Sequence, residues 1–600
     1  MFKSLRTRSG LVRLSVLCCL VAFVGAAVAS AAPSPGTAVD PTEVQQAAGP
    51  DGAATDRQIP GNQSPAHLPS TDAPRPASLA VAGTGSELGT HFAGLTFHNQ
   101  RRNADGGNQL SLEPPDQGLC VGNGEVIEPV NDLFTTYDAA TGARTGGYES
   151  LNQFFFGEHQ INRTVSPPIF GKFISDPRCY YDTSSGHFFM TILMFGRDPS
   201  TGAFEAPGTF QIATSKTGTP STSPSDWNFF SVDVTNDGRN GEQTHAGCPC
   251  FGDQPLVGID ANGVYISTNE YPIDPNTPGF NGAQVYAIQK SALIAGTTPN
   301  VVRFEGPNGP VASNDYVDGI PYSLQPALSP SAADFATANN GTEYLLGALE
   351  FGKKPFQLDN RVAVWALTNT ASLNKGKPAL KLTEKVISSE TYGFPPSMVQ
   401  PNGPTPLADS FKDHESLVDG GDDRMQAAVY AHGHLWGASD TIAKTPTGSS
   451  QVAVAYYMVA PSVDSSGNVT SSSVVAKQGY LSVNGDSVTR PALAVTALGK
   501  VVIGVSLVGP DYFPSAAYTT FDDSASSAPS TLHIVAPGTV PDDGFTAYHA
   551  EGGNGVGRWG DYAFAAVDGN SIWVANEWIP ALVQGPDLAN WGTSVSKITP

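Results

Sequence analysis

Charge is what this chain has least of. Only 14% of its 600 residues are Asp, Glu, Lys or Arg, against about 25% in an ordinary globular protein. Coiled coils and helical bundles carry charge along every exposed helix face. Disordered chains lack apolar bulk. With 40% hydrophobic residues and 9% aromatics, this chain is none of these. Positive charge is scarcer still: 32 Lys and Arg stand against 55 Asp and Glu, a formal net charge of −23. That balance argues against a nucleic-acid backbone as partner, and the scattered arginines form no basic stripe with interleaved aromatics. Familiar catalytic signatures are missing too: no G-x-S-x-G elbow, no H-E-x-x-H, no phosphate-binding loop and no dinucleotide fingerprint. What is abundant is glycine (64) and proline (48). Turn formers in that number point to an all-β chain of many short strands.

Only one long apolar run is present, and it lies at the N-terminus. Lys3, Arg6, Arg8 and Arg13 precede the stretch from Leu14 to Ala29, and small residues follow it. Residues 1–31 read as a signal peptide cleaved after Ala29 or Ala31. A membrane anchor is the rival reading, but the run is short. Leu17 stands before Cys18 where a lipoprotein signal requires a small residue. The expected product is secreted and extracellular, without a membrane anchor. Residues 32–88, rich in Ala, Pro, Gly, Ser and Thr, read as a disordered linker. The remaining cysteines, Cys120, Cys179, Cys248 and Cys250, are an even number in an exported chain. They read as disulfide partners, with three connectivities open. Cys248-Pro249-Cys250 also admits a redox or metal reading, although it lacks the two-residue spacer of the usual motifs.

From residue 89 onward one pattern recurs: a polar residue, an alternating apolar stretch, a Gly, Asn or Asp turn, then a second strand-like stretch. Copies begin at Asp116, Asp176, Asp253, Gln325, Asp423, Arg490 and Asp561. Each reads as a β-hairpin. Third strands follow at 210–217, 285–293, 362–373 and 452–459, and fourth strands at 227–234 and 379–388. Seven four-stranded antiparallel units predict a seven-bladed β-propeller over residues 89–600. The last copy has room for three strands, so Phe92–Phe97 (FAGLTF) is expected to supply its fourth. A pair of β-sandwiches is the competing architecture, but it does not account for seven copies of one hairpin.

The irregular stretches at 145–175, 235–252, 305–324, 389–422 and 535–560 all fall before a start residue. In a propeller these connections share one face. Loops of such length usually bind something. The start residues belong near the axis, which makes Asp116, Asp176, Arg178, Asp253, Gln325, Asp423, Arg424, Arg490, Arg558 and Asp561 candidate ligand contacts. Arginine forks grip carboxylates, sulfates or phosphates, and paired carboxylates perform acid/base chemistry on glycosides. The same residues equally suit a structural role, capping backbone groups and pairing across blades.

The loop 409–424 gathers Asp409, Asp413, His414, Glu415, Asp419, Asp422 and Asp423. Asp409, Asp413, Glu415 and Asp419 are candidate metal ligands, with Ca²⁺ the cofactor that oxygen donors imply; a solvated acidic loop is the plainer reading. Residues 233–242 match a calcium loop at Asp233, Thr235, Asp237 and Gly238, but Thr244 stands where a Glu is required. His432 and His434 read as surface turn residues. His549 and Glu551, in a Gly-rich loop leading to Arg558, are candidate ligand contacts.

The repeated strand starts, the seven hairpins and the signal sequence resemble the sialidase-like (BNR-type) propellers of secreted bacterial proteins, over roughly 89–600. The resemblance is one of repeat style. Those enzymes carry six blades, an arginine triad, a Tyr/Glu nucleophile pair, an Asp acid and S-x-D-x-G-x-x-W boxes. Here SPSDWNFF (223–230) is the nearest box and lacks the Gly, while Arg178, Arg424 and Arg490 imitate a triad. Two functions follow. One is a monomeric protein binding an extracellular glycan or secreted protein on its loop-rich face. The other is a carbohydrate-active hydrolase or lyase using axial Asp and Arg.

Overall fold

The computed structural model describes residues 73–305, 321–349, 358–524 and 526–600. Its main chain forms seven antiparallel blades of four strands, six of them running from axis to rim in chain order. Their innermost strands are Cys120–Gly122, Phe173–Asp182, Cys250–Ile259, Gln325–Pro326, Met425–Ala431, Ser487–Val495 and Phe564–Asp568. The second strand follows within a few residues, as the hairpin pattern predicts. In blade 5 the turn between strands is His432-Gly433, both residues with positive φ (51° and 75°). That two-residue geometry matches the twist of the flanking strands and favours Gly at its second position. His432 and His434 are therefore turn and strand-edge residues, and His432 pairs with Asp523 at 2.8 Å.

Blade 7 closes the ring. Its outermost strand is Leu88–Thr96, antiparallel to Gly592–Ile598. The chain thus ties its own start to its end, which leaves no open seam in the ring. The closing strand begins four residues before Phe92.

Low charge has a direct structural cause. Each of the seven interfaces between neighbouring blades holds its own apolar core. Blades 1 and 2 enclose Phe134, Phe154, Met190 and Trp227, for example, and blades 7 and 1 enclose Tyr137 and Trp573. The second strands of the blades are buried on both faces, so they read as nearly continuous apolar runs. At about 25 cal/mol per Å² of apolar surface removed from water, this stacking is the main stabilising force.

Two disulfides resolve the open connectivity: Cys120–Cys179 and Cys248–Cys250. The first staples the innermost strands of blades 1 and 2. One boundary needs correction. The linker read as ending at residue 88 ends earlier, because Ala80–Ala82 pairs in parallel with Thr531–Ala536 as a fifth strand on blade 6. Leu79 is buried in the core between blades 5 and 6, and Ala73 packs on Leu358 and Ile442. The outer edge of blade 6 offers unpaired backbone groups, and this small-residue segment satisfies them. The expected signal peptide and the rest of the linker lie outside the described residues. Among the described residues no helix is long and apolar enough to cross a membrane.

Candidate functional site

The axial site is built by a bulge that recurs along the ring. In blades 2, 3 and 6 the register of the innermost strand slips at Asp176-Pro177, Gln254-Pro255 and Arg490-Pro491. The residue before each proline takes a positive φ: 56°, 45° and 53°. Proline cannot donate to the ladder, so sheets accommodate it at bulges. Each bulge places a polar residue among the charged groups at the axis.

Those polar residues meet one another. Asp561 accepts from Arg558 Nη2 at 2.7 Å and from Gln254 Nε2 at 3.4 Å, while its backbone N–H donates to Asp116 Oδ1 at 2.8 Å. Gln254 in turn donates its N–H to Asp176 Oδ2 at 3.0 Å and accepts from Arg424 Nη1 at 2.7 Å. Arg424 grips Asp422 through Nε and Nη2, at 2.8 and 2.6 Å. Arg490 reaches Asp440 at 3.3 Å, Asp419 at 2.9 Å and the carbonyls of Trp559 and Gly560. Arg178 lies 3.2 Å above the ring centre of Tyr562. Six of the seven blades thus contribute to one plug of guanidiniums and carboxylates.

The electrostatics of the plug divide its acids. Burial, with Asp561 and Asp176 nearby, pushes the Asp116 carboxyl well above the usual range. Burial, with the same two neighbours, does likewise to Asp253. Asp176 is raised to about 6 and Asp422 to about 7, both chiefly by burial. Asp561 goes the other way. Burial would raise it, but Arg558, Arg424 and Arg490 together hold it below its ordinary value. One carboxyl more acidic than usual therefore sits among neighbours that give up their protons later than an ordinary aspartate.

Of the residues singled out by sequence, Asp116, Asp176, Arg178, Asp253, Arg424, Arg490, Arg558 and Asp561 come together. Gln325 is buried with its Oε1 unpartnered, and Asp423 is fully buried beside Asp422. Tyr562, Asp440 and the carbonyl of Gly560 belong to the same network and were not foreseen. Tyr562 directly follows the predicted start residue Asp561, whereas Asp440 lies on the second strand of blade 5, where nothing in sequence marks it.

The connections between blades build a layer over this end of the axis. Leu417–Val418 pairs in parallel with Val556–Gly557, joining the 389–422 and 535–560 stretches. Asp543 caps the helix Pro406–Phe411 by accepting from the N–H groups of Leu407 and Ala408, at 2.8 and 3.1 Å. Met398, Leu407, Tyr548, Trp559 and Trp591 form a core of this layer. Its rim is polar and open. His549 pairs with Asp413 at 2.9 Å, with the imidazole 73% exposed. Glu551 follows in the same short 3₁₀ turn. Val399 and Leu417, 55% and 41% exposed, belong to the same layer, each next to a residue of the Met398–Val418 bridge.

The acidic loop disperses its carboxylates. Asp413 goes to His549, Asp419 to Arg490, and Glu415 accepts from the Gly403 N–H at 3.3 Å. Asp409 stands exposed on its helix. Among the described residues the one group of three that brings His, Cys, Asp or Glu ligand atoms together is Cys248, Cys250 and Glu270. The calcium ligands expected from the sequence therefore do not converge. At the weaker 233–242 match, Asp233 bonds Thr235 and Asn240.

The fold and its plugged axis define a seven-bladed β-propeller with a built-up loop face. No protein-family model matches the chain, and no curated protein does. Among solved structures, a Trypanosoma rangeli sialidase is 10% identical, covering 72% of this chain and 55% of that one with a TM-score of 0.30. The phage phi92 endosialidase is 9% identical, covering 81% and 67% with a TM-score of 0.29. The extracellular domains 1-2 of Drosophila Semaphorin 1b are 7% identical, covering 88% of each chain with a TM-score of 0.30. This chain spans about half the length of the sialidase chains it matches. No residue of the axial site is assigned from these neighbours.

Proposed function

We propose that this protein is a secreted binding propeller that takes an extracellular glycan or secreted protein on its loop-rich face, without transforming it. One observation carries this reading. The axial arginines are already engaged by carboxylates, carbonyls and an aromatic ring of the protein itself, while the loop layer holds both polar and apolar groups open to solvent. A guanidinium bound to a buried carboxylate is expensive to free for a ligand. Asp413, His549, Glu551, Val399 and Leu417, by contrast, offer hydrogen bonds and apolar contact at no such cost. A glycan array followed by hydrolysis assays on any hit tests the reading. Binding without turnover is expected, and it is to weaken when His549 and Asp413 are replaced by Ala.

A second reading has its own support. Burial pushes the Asp116 and Asp253 carboxyls up while arginines hold Asp561 low, a separation suited to a general acid and its partner base. On that reading the axis is the active site of a carbohydrate-active hydrolase or lyase. Turnover of an array hit that disappears in Asp253→Asn would establish it.

A further inference from the structure

The connection from blade 2 to blade 3 carries reactive side chains that the axial plug does not use. Cys248 and Cys250 are joined by a disulfide across a single proline. Their environments differ. Cys248 is half-buried, between exposed Gly247 and Pro249, whereas Cys250 is completely buried. One amide serves both sulfurs: Asn281 Nδ2 lies 3.7 Å from Cys248 Sγ and 3.8 Å from Cys250 Sγ. Glu270 Oε1 lies 3.7 Å from Cys248 Sγ and within 4.8 Å of both sulfurs. That same oxygen accepts from Asn281 at 2.7 Å and meets His245 Nδ1 at 2.7 Å. The His245 and Glu270 side chains are shut away from solvent, and His245 Nε2 has no partner. Asn236 holds the other oxygen of Glu270.

A structural role explains little of this arrangement. A disulfide constrains the unfolded chain more as it closes a longer loop. Cys120–Cys179, with a sequence separation of 59, is a staple in that sense, and Cys248–Cys250, with a separation of 2, is not. Exchange chemistry explains more. It needs one accessible sulfur for attack, a second sulfur that leaves as a stabilised thiolate, and a proton carrier nearby. Burial opposes charge on His245, but its hydrogen bond to Glu270 and the charges of Glu270 and Glu305 raise its pKa, and the 2.7 Å contact places that imidazole against the oxygen nearest Cys248.

We propose that Cys248–Cys250 is a thiol–disulfide exchange site that reacts with external dithiols. The attacking thiolate forms a bond to Cys248 Sγ, and the Cys248–Cys250 bond breaks. Cys250 leaves as a thiolate, accepts a hydrogen bond from Asn281 and takes the proton held by His245 and Glu270. The second thiol of the reductant then loses its proton to the His245–Glu270 pair, which restores it, and attacks its own sulfur in the mixed disulfide; the bond to Cys248 breaks and Cys248 leaves as a thiolate that takes from solvent the proton shed by the first thiol. Two electrons and two protons pass from the dithiol, which ends as a disulfide, to the two cysteines. The reverse sequence oxidises a partner dithiol. The site is independent of any ligand on the loop-rich face.

The experiment uses the full chain in native buffer. Dithiothreitol is added, samples are quenched with iodoacetamide at intervals, and each cysteine is followed by mass spectrometry. Cys248 and Cys250 are expected to be alkylated about 100-fold faster than Cys120 and Cys179, which serve as the internal control. Oxidised glutathione is expected to trap a mixed disulfide on Cys248 in Cys250→Ser and to give none on Cys250 in Cys248→Ser. Glu270→Gln is expected to slow reduction and to shift its pH profile. Equal reduction rates for the two disulfides in the unaltered protein, or resistance of both, would overturn the proposal without reference to any variant's folding.

Discussion

Arg178 lies over Tyr562, its guanidinium carbon 3.2 Å from the ring centre, and this contact joins blade 2 to blade 7 past the blade between them. Tyr562 returns the connection by donating its hydroxyl to the Pro177 carbonyl at 3.2 Å. A desolvated cation over an aromatic face contributes about 2 kcal/mol, and the buried hydroxyl bond about 1 kcal/mol. Tyr562→Phe is therefore expected to lower unfolding free energy by about 1 kcal/mol, and Tyr562→Ala by about 3–5 kcal/mol. Urea denaturation of the two variants measures the difference.

The axial acids make stability depend on pH in an unusual direction. Asp176 is raised to about 6, and Asp422 and Asp440 to about 7. Asp132 and Asp542, elsewhere in the molecule, are raised to about 8. The folded protein binds more protons than the unfolded chain between the ordinary carboxylate value and these raised ones. Its stability therefore falls as pH rises through that window. Asp561, held low, acts oppositely and only in stronger acid. A melting temperature several degrees higher at about pH 5 than at about pH 8 is expected by calorimetry.

The two disulfides are expected to differ in what they contribute. Replacing Cys120 and Cys179 together by Ser removes the loop-closure constraint between blades 1 and 2, about 4 kcal/mol. The same exchange at Cys248 and Cys250 is expected to cost less than half of that. Chemical denaturation of both double variants under identical conditions checks the ranking.

His549 and Asp413 meet at an exposed rim, where an ion pair contributes little to folding. The double variant His549→Ala, Asp413→Ala is expected to melt within about 2 °C of the unaltered protein. Its ligand binding is expected to weaken by about tenfold or more. Thermal melting and a direct binding titration separate the two effects.

Much of the ring is visible in the linear chain because the second strands of the blades are buried on both faces and stand out as apolar runs, each following a first strand with a polar residue at its head. The fourth strand of blade 7 follows from counting, whereas the bulges at the Asp-Pro, Gln-Pro and Arg-Pro steps emerge only from the strand register. Ala80–Ala82 escaped notice because three small residues carry no periodicity; only the open backbone edge of blade 6 makes them a strand. The pairings that decide the site are less legible. Arg490 meets Asp440 and Asp419, and His549 meets Asp413, only once ring closure brings distant connections together. Charge type is readable in such a chain, whereas the partner that neutralises it is not.

The central claim is that ligand is held on the loop-rich face and that the axial charges hold the ring together. It is tested most directly by titrating a glycan-array hit into three proteins: the unaltered chain, His549→Ala with Asp413→Ala, and Asp253→Asn. The account predicts binding weakened by about tenfold in the loop variant, unchanged in Asp253→Asn, and no turnover by any of the three. Turnover by the unaltered chain that vanishes in Asp253→Asn would contradict it.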